Sequence, residues 1–162
     1  MLTYGYPILG ITLLVSAIGV PLPASLVATV AGALVAAGDM ELSSTVLVAL
    51  SACVAGDLIG YGIGRFGGDK FARRHGHWIG MGPRRVAQAE ALFQRWAGAT
   101  LIVSRSLVSI LAPAINLLAG ASAENVLAFF LYTTLGRLLW IAIFVGLGYV
   151  FAGSAEIAAD FA

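Results

Sequence analysis

A chain of 162 residues has room for one domain, and 60% hydrophobic against 10% charged side chains is far from the balance of a water-soluble domain of that size. A mean hydropathy of +0.96 excludes disorder and leaves too little polar surface to face water, whereas a bilayer asks for such a surface. Nine basic and eight acidic residues give a net charge of +1, so bulk charge favours neither nucleic acid nor another polyanion, and the single Cys53 cannot form an internal disulfide.

The first tract, residues 1–38, carries no charge and is interrupted by Val20-Pro21-Leu22-Pro23. Proline removes an amide donor and disfavours helix at the residue before it, so the tract is expected to divide into two half-helices; a simple kink is the alternative. An acidic turn with Asp39 and Glu41 follows. Residues 42–64 then form a proline-free tract of 23 residues with Asp57 as its one charge, long enough for about 30 Å of hydrocarbon. Within and beyond it Gly56, Gly60, Gly64 and Gly68 recur every four residues, a spacing that lets another helix approach closely.

Residues 65–95 hold seven basic side chains against Asp69 and Glu90. The positive-inside rule places this segment in the cytoplasm and the acidic turn and the Glu156/Asp160 tail on the opposite side. Gly82-Pro83 opens a predicted amphipathic helix whose Val86, Ala89, Phe93 and Trp96 share one face and suit the cytoplasmic headgroup layer, either as a lipid-facing entrance or as an orienting anchor. His75 and His77 lack a nearby acidic or cysteine ligand set, so no metal is expected, and nothing calls for a cofactor.

The third tract, 96–123, carries only Arg105 and is interrupted by Ala112-Pro113 and Asn116; the fourth, 125–153, is an unbroken run of 29 residues with only Arg137. Broken backbone at membrane depth is tolerated where protein or a wet cavity covers it, so both interrupted tracts are candidate re-entrant hairpins. The order of elements repeats: broken tract, Ala-Gly (Ala31-Gly32, Ala119-Gly120), short acidic turn, unbroken span. Gly56-Asp57 and Gly60-Tyr61 in one span are matched with Gly136-Arg137 and Gly148-Tyr149 in the other. The expectation is one all-α integral membrane domain: repeat 1 at about 4–66, the cytoplasmic segment 65–95, and repeat 2 at about 96–153. Because one copy lies on each side of the cytoplasmic segment, the copies form an inverted repeat, whose paired breaks are expected to meet at a substrate site.

Three ionisable residues, Asp57, Arg105 and Arg137, lie within these tracts apart from Tyr and Cys53, and each needs a partner or water at that depth. Arg105 suits a phosphate clamp, since a guanidinium keeps its proton and matches phosphate oxygens in pairs; Ser104, Ser106 and Asn116 are candidate neighbouring donors. The alternative is a buried salt bridge from Arg105 to Asp57. Asp57 is either a proton acceptor that controls Arg105 or an ion-pair and packing residue. Arg137 either touches substrate, snorkels or pairs locally. Pro21, Pro23 and Pro113 are read as the breakers that shape the cavity, and Gly56, Gly60 and Gly64 as packing positions. No histidine lies in an apolar tract and no Gly-x-Ser-x-Gly turn is present, so an enzyme is the least favoured class.

Pro21-Leu22-Pro23, Ala31-Gly32-Ala33 and Gly56-Asp57-x-x-Gly60-Tyr61-x-x-Gly64-Arg65-x-x-Gly68 resemble the signature of the DedA (SNARE-associated, VTT domain) membrane proteins. Glu90-x-x-Phe93-x-Arg95-x-x-Gly98, Ser104-Arg105, Phe129, Trp140 and Gly146-Leu147-Gly148-Tyr149 continue that pattern over about residues 4–153. The resemblance implies paired re-entrant loops, the bacterial inner membrane, and movement of phospholipid or undecaprenyl phosphate between leaflets, coupled to protons or sodium. Three departures stand out: Ala24-Ser25 where relatives often carry an acid, Val108 and Leu111 where many carry a proline and a second arginine, and a short end where relatives continue into another hydrophobic helix. Expected partners are therefore membrane lipid, an anionic headgroup, a proton or sodium ion, and a second copy of the chain. A scaffold that binds membrane partners through its glycine face is the second hypothesis.

Overall fold

The computed structural model describes residues 4–75, 112–121 and 125–160. Among them are five helices and no strand: α1 (Gly5–Ile18), α2 (Ala24–Ala36), α3 (Leu42–His75), α4 (Ala112–Ala121) and α5 (Val126–Asp160). The predicted amphipathic helix and the first part of the third tract lie outside the described residues.

The first tract breaks at the predicted prolines. Gly19 adopts φ 131°, its N–H donates to the Ser16 carbonyl at 3.1 Å, and the Val20 N–H donates to Val15 at 3.3 Å, which closes α1. Pro21 and Pro23 have no N–H to offer, and regular helix resumes when Val27 N–H reaches the Pro23 carbonyl at 3.1 Å. α2 closes in the same way: Gly38 adopts φ 79°, with Gly38 N–H on Val35 and Asp39 N–H on Leu34. At 14 and 13 residues, α1 and α2 are each about 20 Å long, short of a hydrocarbon core of about 30 Å.

α3 starts at Glu41, whose carbonyl accepts from the Thr45 N–H and hydroxyl while its carboxylate accepts from Ser43 Oγ at 2.5 Å and Ser44 Oγ at 2.9 Å. The Glu41 N–H donates to the Tyr6 hydroxyl, tying α1 to this corner. α5 starts at Asn125, whose Oδ1 accepts from the Leu127 and Ala128 N–H groups. Both helices contain apolar stretches long enough to cross a membrane, Leu42–Gly67 and Val126–Ala152. α3 does not stop where the charge begins: it runs through Arg65 to His75, because the segment lacks proline and basic residues near a helix C-terminus are favourable.

Packing crosses between the halves of the chain. Gly32 on α2 lies against the Val145 carbonyl of α5, and Gly148 on α5 against the Thr29 carbonyl of α2. Gly120 on α4 lies against the Tyr61 carbonyl of α3, and Gly64 on α3 against the Leu117 carbonyl of α4. The two crossings share one register, three residues apart on each helix. Gly148 and Gly64 hold corresponding places in the two crossings, while the sequence motifs set Gly148-Tyr149 beside Gly60-Tyr61. The two tyrosines differ accordingly: Tyr61 is 4% exposed and its ring lies 4.7 Å from Phe129, whereas Tyr149 is 50% exposed. One apolar core gathers Leu9, Leu13, Ala28, Cys53, Trp140 and Ile141, and a second Tyr61, Ile115, Leu117 and Phe129. Leucine, isoleucine, valine and phenylalanine cover the outer face of α5 from Val126 to Phe151, as hydrocarbon contact requires.

Candidate functional site

The two charged side chains buried among the described residues are partners. Arg137 on α5 donates from Nε to Asp57 Oδ2 at 2.7 Å and from Nη2 to Asp57 Oδ1 at 2.8 Å, a bidentate pair across α5 and α3. Asn116 on α4 donates from Nδ2 to Asp57 Oδ1 at 2.8 Å. Asp57 and Asn116 are 0% exposed and Arg137 6%. Three helices from both halves of the chain thus meet at one carboxylate, and burial is tolerable because the pair is neutral as a unit and its oxygens have donors. The pair uses two of the five N–H donors of a guanidinium.

Both proline-bearing segments approach α3 close to Asp57. Gly56, beside Asp57, faces the last turn of α1: a Cβ there would lie 2.6 Å from Ala17 Cβ and 2.7 Å from the Leu14 carbonyl. One turn further on, Gly60 faces Asn116 near the start of α4, 3.1 Å from its Cβ. The α1 end that leads to Pro21 and Pro23 and the α4 start that contains Pro113 therefore both pack within a turn of Asp57. Gly56, Gly60 and Gly64 are filled by α1 and α4 of this chain, so that face does not present itself to another protein as the scaffold hypothesis requires.

Among the described residues Asp57 is paired with Arg137, and Asn116, a candidate substrate donor, donates to Asp57. Arg105, Ser104 and Ser106 lie outside the described residues. Sequence reasoning passed over two threonines on the turn before Arg137. Thr133 is 0% exposed, and Thr134 Oγ1 is buried with no hydrogen-bond partner among the described residues. Their spacing of four and three from Arg137 was the signal that could have marked them. A cavity of about 240 Å³ between α1 and α2 lies elsewhere, lined by Tyr4, Ile8, Leu9, Val27 and Leu34 among others; its walls are apolar and hold no charged group. No cluster of metal-ligating side chains occurs among the described residues.

Comparison with known proteins follows the same outline. A family model described as the VTT domain matches residues 20–150. The uncharacterized membrane protein YkoX of Bacillus subtilis is 34% identical over 127 residues, covering 78% of this chain and 57% of YkoX, so the chain spans little more than half of that relative. Undecaprenyl phosphate transporter A of Bacillus subtilis is 26% identical over 144 residues, 89% of this chain and 70% of the transporter. Protein DedA of Escherichia coli is 29% identical over 132 residues, 80% of this chain and 59% of DedA. No solved structure matches.

Proposed function

The chain belongs to the VTT-domain (DedA) family of membrane proteins, and from that premise we propose that it carries an anionic lipid phosphate, undecaprenyl phosphate or a phospholipid, between the leaflets of the bacterial inner membrane. The support is the meeting of the end of α1, just before its proline break, and of the Pro113-bearing α4 at a buried ionic centre. In this reading the two interrupted tracts are re-entrant hairpins of an inverted repeat, the geometry in which opposed breaks enclose a substrate site. The shared register of the Gly32/Gly148 and Gly120/Gly64 crossings supports it. The segment 65–95 would then be cytoplasmic.

Charge balance carries the reading to a phosphate. Among the ions of the apolar tracts, Asp57 and Arg137 neutralise each other, and adding Arg105 leaves the group with one positive charge in excess. An anionic headgroup would balance that excess at membrane depth, where an unpaired charge is costly. Arg105 is assigned to clamp the phosphate with Ser104 and Ser106 beside it, and the remaining donors of Arg137 can reach the same anion. Protons or sodium would couple through Asp57, whose ionisation decides whether Arg137 is balanced.

Reconstitution into liposomes with a labelled lipid phosphate tests this. Arg105→Ala is expected to slow translocation by about tenfold or more, the worth of one charge-assisted contact of about 1.5–3 kcal/mol. An unchanged rate removes Arg105 from the mechanism, and absence of translocation by the unaltered chain with every lipid phosphate offered overturns the function.

A further inference from the structure

The helices are joined by two kinds of contact. At Gly32, Gly148, Gly120 and Gly64 the main chains of neighbouring helices touch, leaving no room for a Cβ, and Gly56 brings α1 onto α3 almost as closely. These contacts bind α2 to α5, and α1 and α4 to α3. Between the two groups the described junctions are made by side chains: the Asp57–Arg137 pair, the Tyr61–Phe129 rings and the apolar core around Trp140 and Cys53. Backbone seated on backbone cannot slide without separating the helices, whereas side-chain interfaces re-pack by rotamer change.

Among the described residues the chain passes between the groups at 19–23 and 37–41. These two passages hold Gly19 and Gly38, the positive-φ glycines among the described residues, and the first also holds Pro21 and Pro23. Passages of this kind absorb rotation without disturbing a helix.

We infer that the protein moves as two rigid units drawn from opposite halves of its sequence, α1 with α3 and α4 against α2 with α5, and that the Asp57–Arg137 pair is the latch between them. The inference rests on the transport reading for its purpose, since it names the parts that rock around the site, but its measurement does not require transport. The sequence halves are not the moving parts: α2 leaves its own half to travel with α5. Opening the latch exposes the Asp57 carboxylate and the Arg137 guanidinium together at the seam, where an anion and a cation can each take a partner's place.

Distances between paired spin labels, read on the full chain with Cys53→Ala in phosphatidylethanolamine/phosphatidylglycerol nanodiscs, decide it. Labels go on outward positions: Leu26 with Leu147 inside one unit, Ile11 with Leu26 across units but within one sequence half, and Leu47 with Leu138 across both. When the latch is removed by Asp57→Leu together with Arg137→Met, the Leu26/Leu147 distance is expected to stay single while the other two pairs gain a second population. Arg137→Lys, which keeps the charge and loses the bidentate geometry, serves if the double replacement does not fold. A Leu26/Leu147 distance that splits while Ile11/Leu26 stays single overturns the inference in favour of the sequence halves, and three unchanged distances overturn it outright. Units that move in a protein that carries no lipid phosphate support this inference while ending the transport reading.

Discussion

Asp57 and Arg137 illustrate how unequal the two ways of losing a buried ion pair are. Replacing Asp57 alone with Asn leaves the Arg137 guanidinium at 6% exposure without its counter-charge, a loss of about 3–5 kcal/mol. Replacing both, Asp57→Leu with Arg137→Met, removes the charges and fills the space with apolar side chains, so thermal unfolding in detergent should show the double variant more stable than Asp57→Asn. A double variant as unstable as the single one would mean that the pair itself holds the fold. Glu41 offers a residue-scale test outside the spans. The Ser43 hydroxyl, and next the Ser44 hydroxyl, hold its carboxyl below the usual carboxylate range. A carboxylate lowered in the folded state adds stability above the pH at which the unfolded chain's carboxylate ionises, and loses it as pH falls through the lowered value. Glu41→Gln should therefore melt nearer to the unaltered protein at acid pH than at neutral pH, the difference narrowing below about pH 5. Parallel melting curves at all pH values would show that the serines do not act on this group.

At the scale of the element, glycine is what allows a short helix to lie on a long one. Gly32→Ala or Gly148→Ala would drive a methyl group into a carbonyl of the facing helix, which no rotamer relieves, and the loss of folded protein after solubilisation should be large. Gly62 on α3 and Gly146 on α5 face open space. There the alanine substitution is expected to be neutral or to stabilise by up to about 1 kcal/mol through helix propensity. Size-exclusion recovery of the four variants separates the two classes. The elements themselves were largely legible in the sequence: Pro21 and Pro23 announced the first break, and the apolar runs from Leu42 and Val126 announced the spans. Gly19, which sets the end of α1, is hidden among small apolar neighbours. The continuation of α3 to His75 was missed because charge was taken as a boundary, although a helix that has left hydrocarbon has no reason to unwind.

For the whole molecule, the consequence of crosswise packing is one cooperative core fed by both halves. Cys53 sits in it at 1% exposure, beside residues of α1, α2 and α5. A water-soluble maleimide should leave this thiol unmodified in the folded chain and label it fully after denaturation. Rapid labelling of folded protein would mean that the core opens without global unfolding. The sequence by itself determined that the chain is a helical membrane protein, where its first tract breaks and which charged residues lie within its apolar tracts, because hydropathy, proline and charge act on each segment locally. Only the tertiary structure decided that Arg137 answers Asp57, 80 positions away, and that α2 packs on α5 and α4 on α3. Pairing is a matter of helix rotation and depth, and several rotations satisfy the same apolar pattern until backbone contacts at glycine admit one of them.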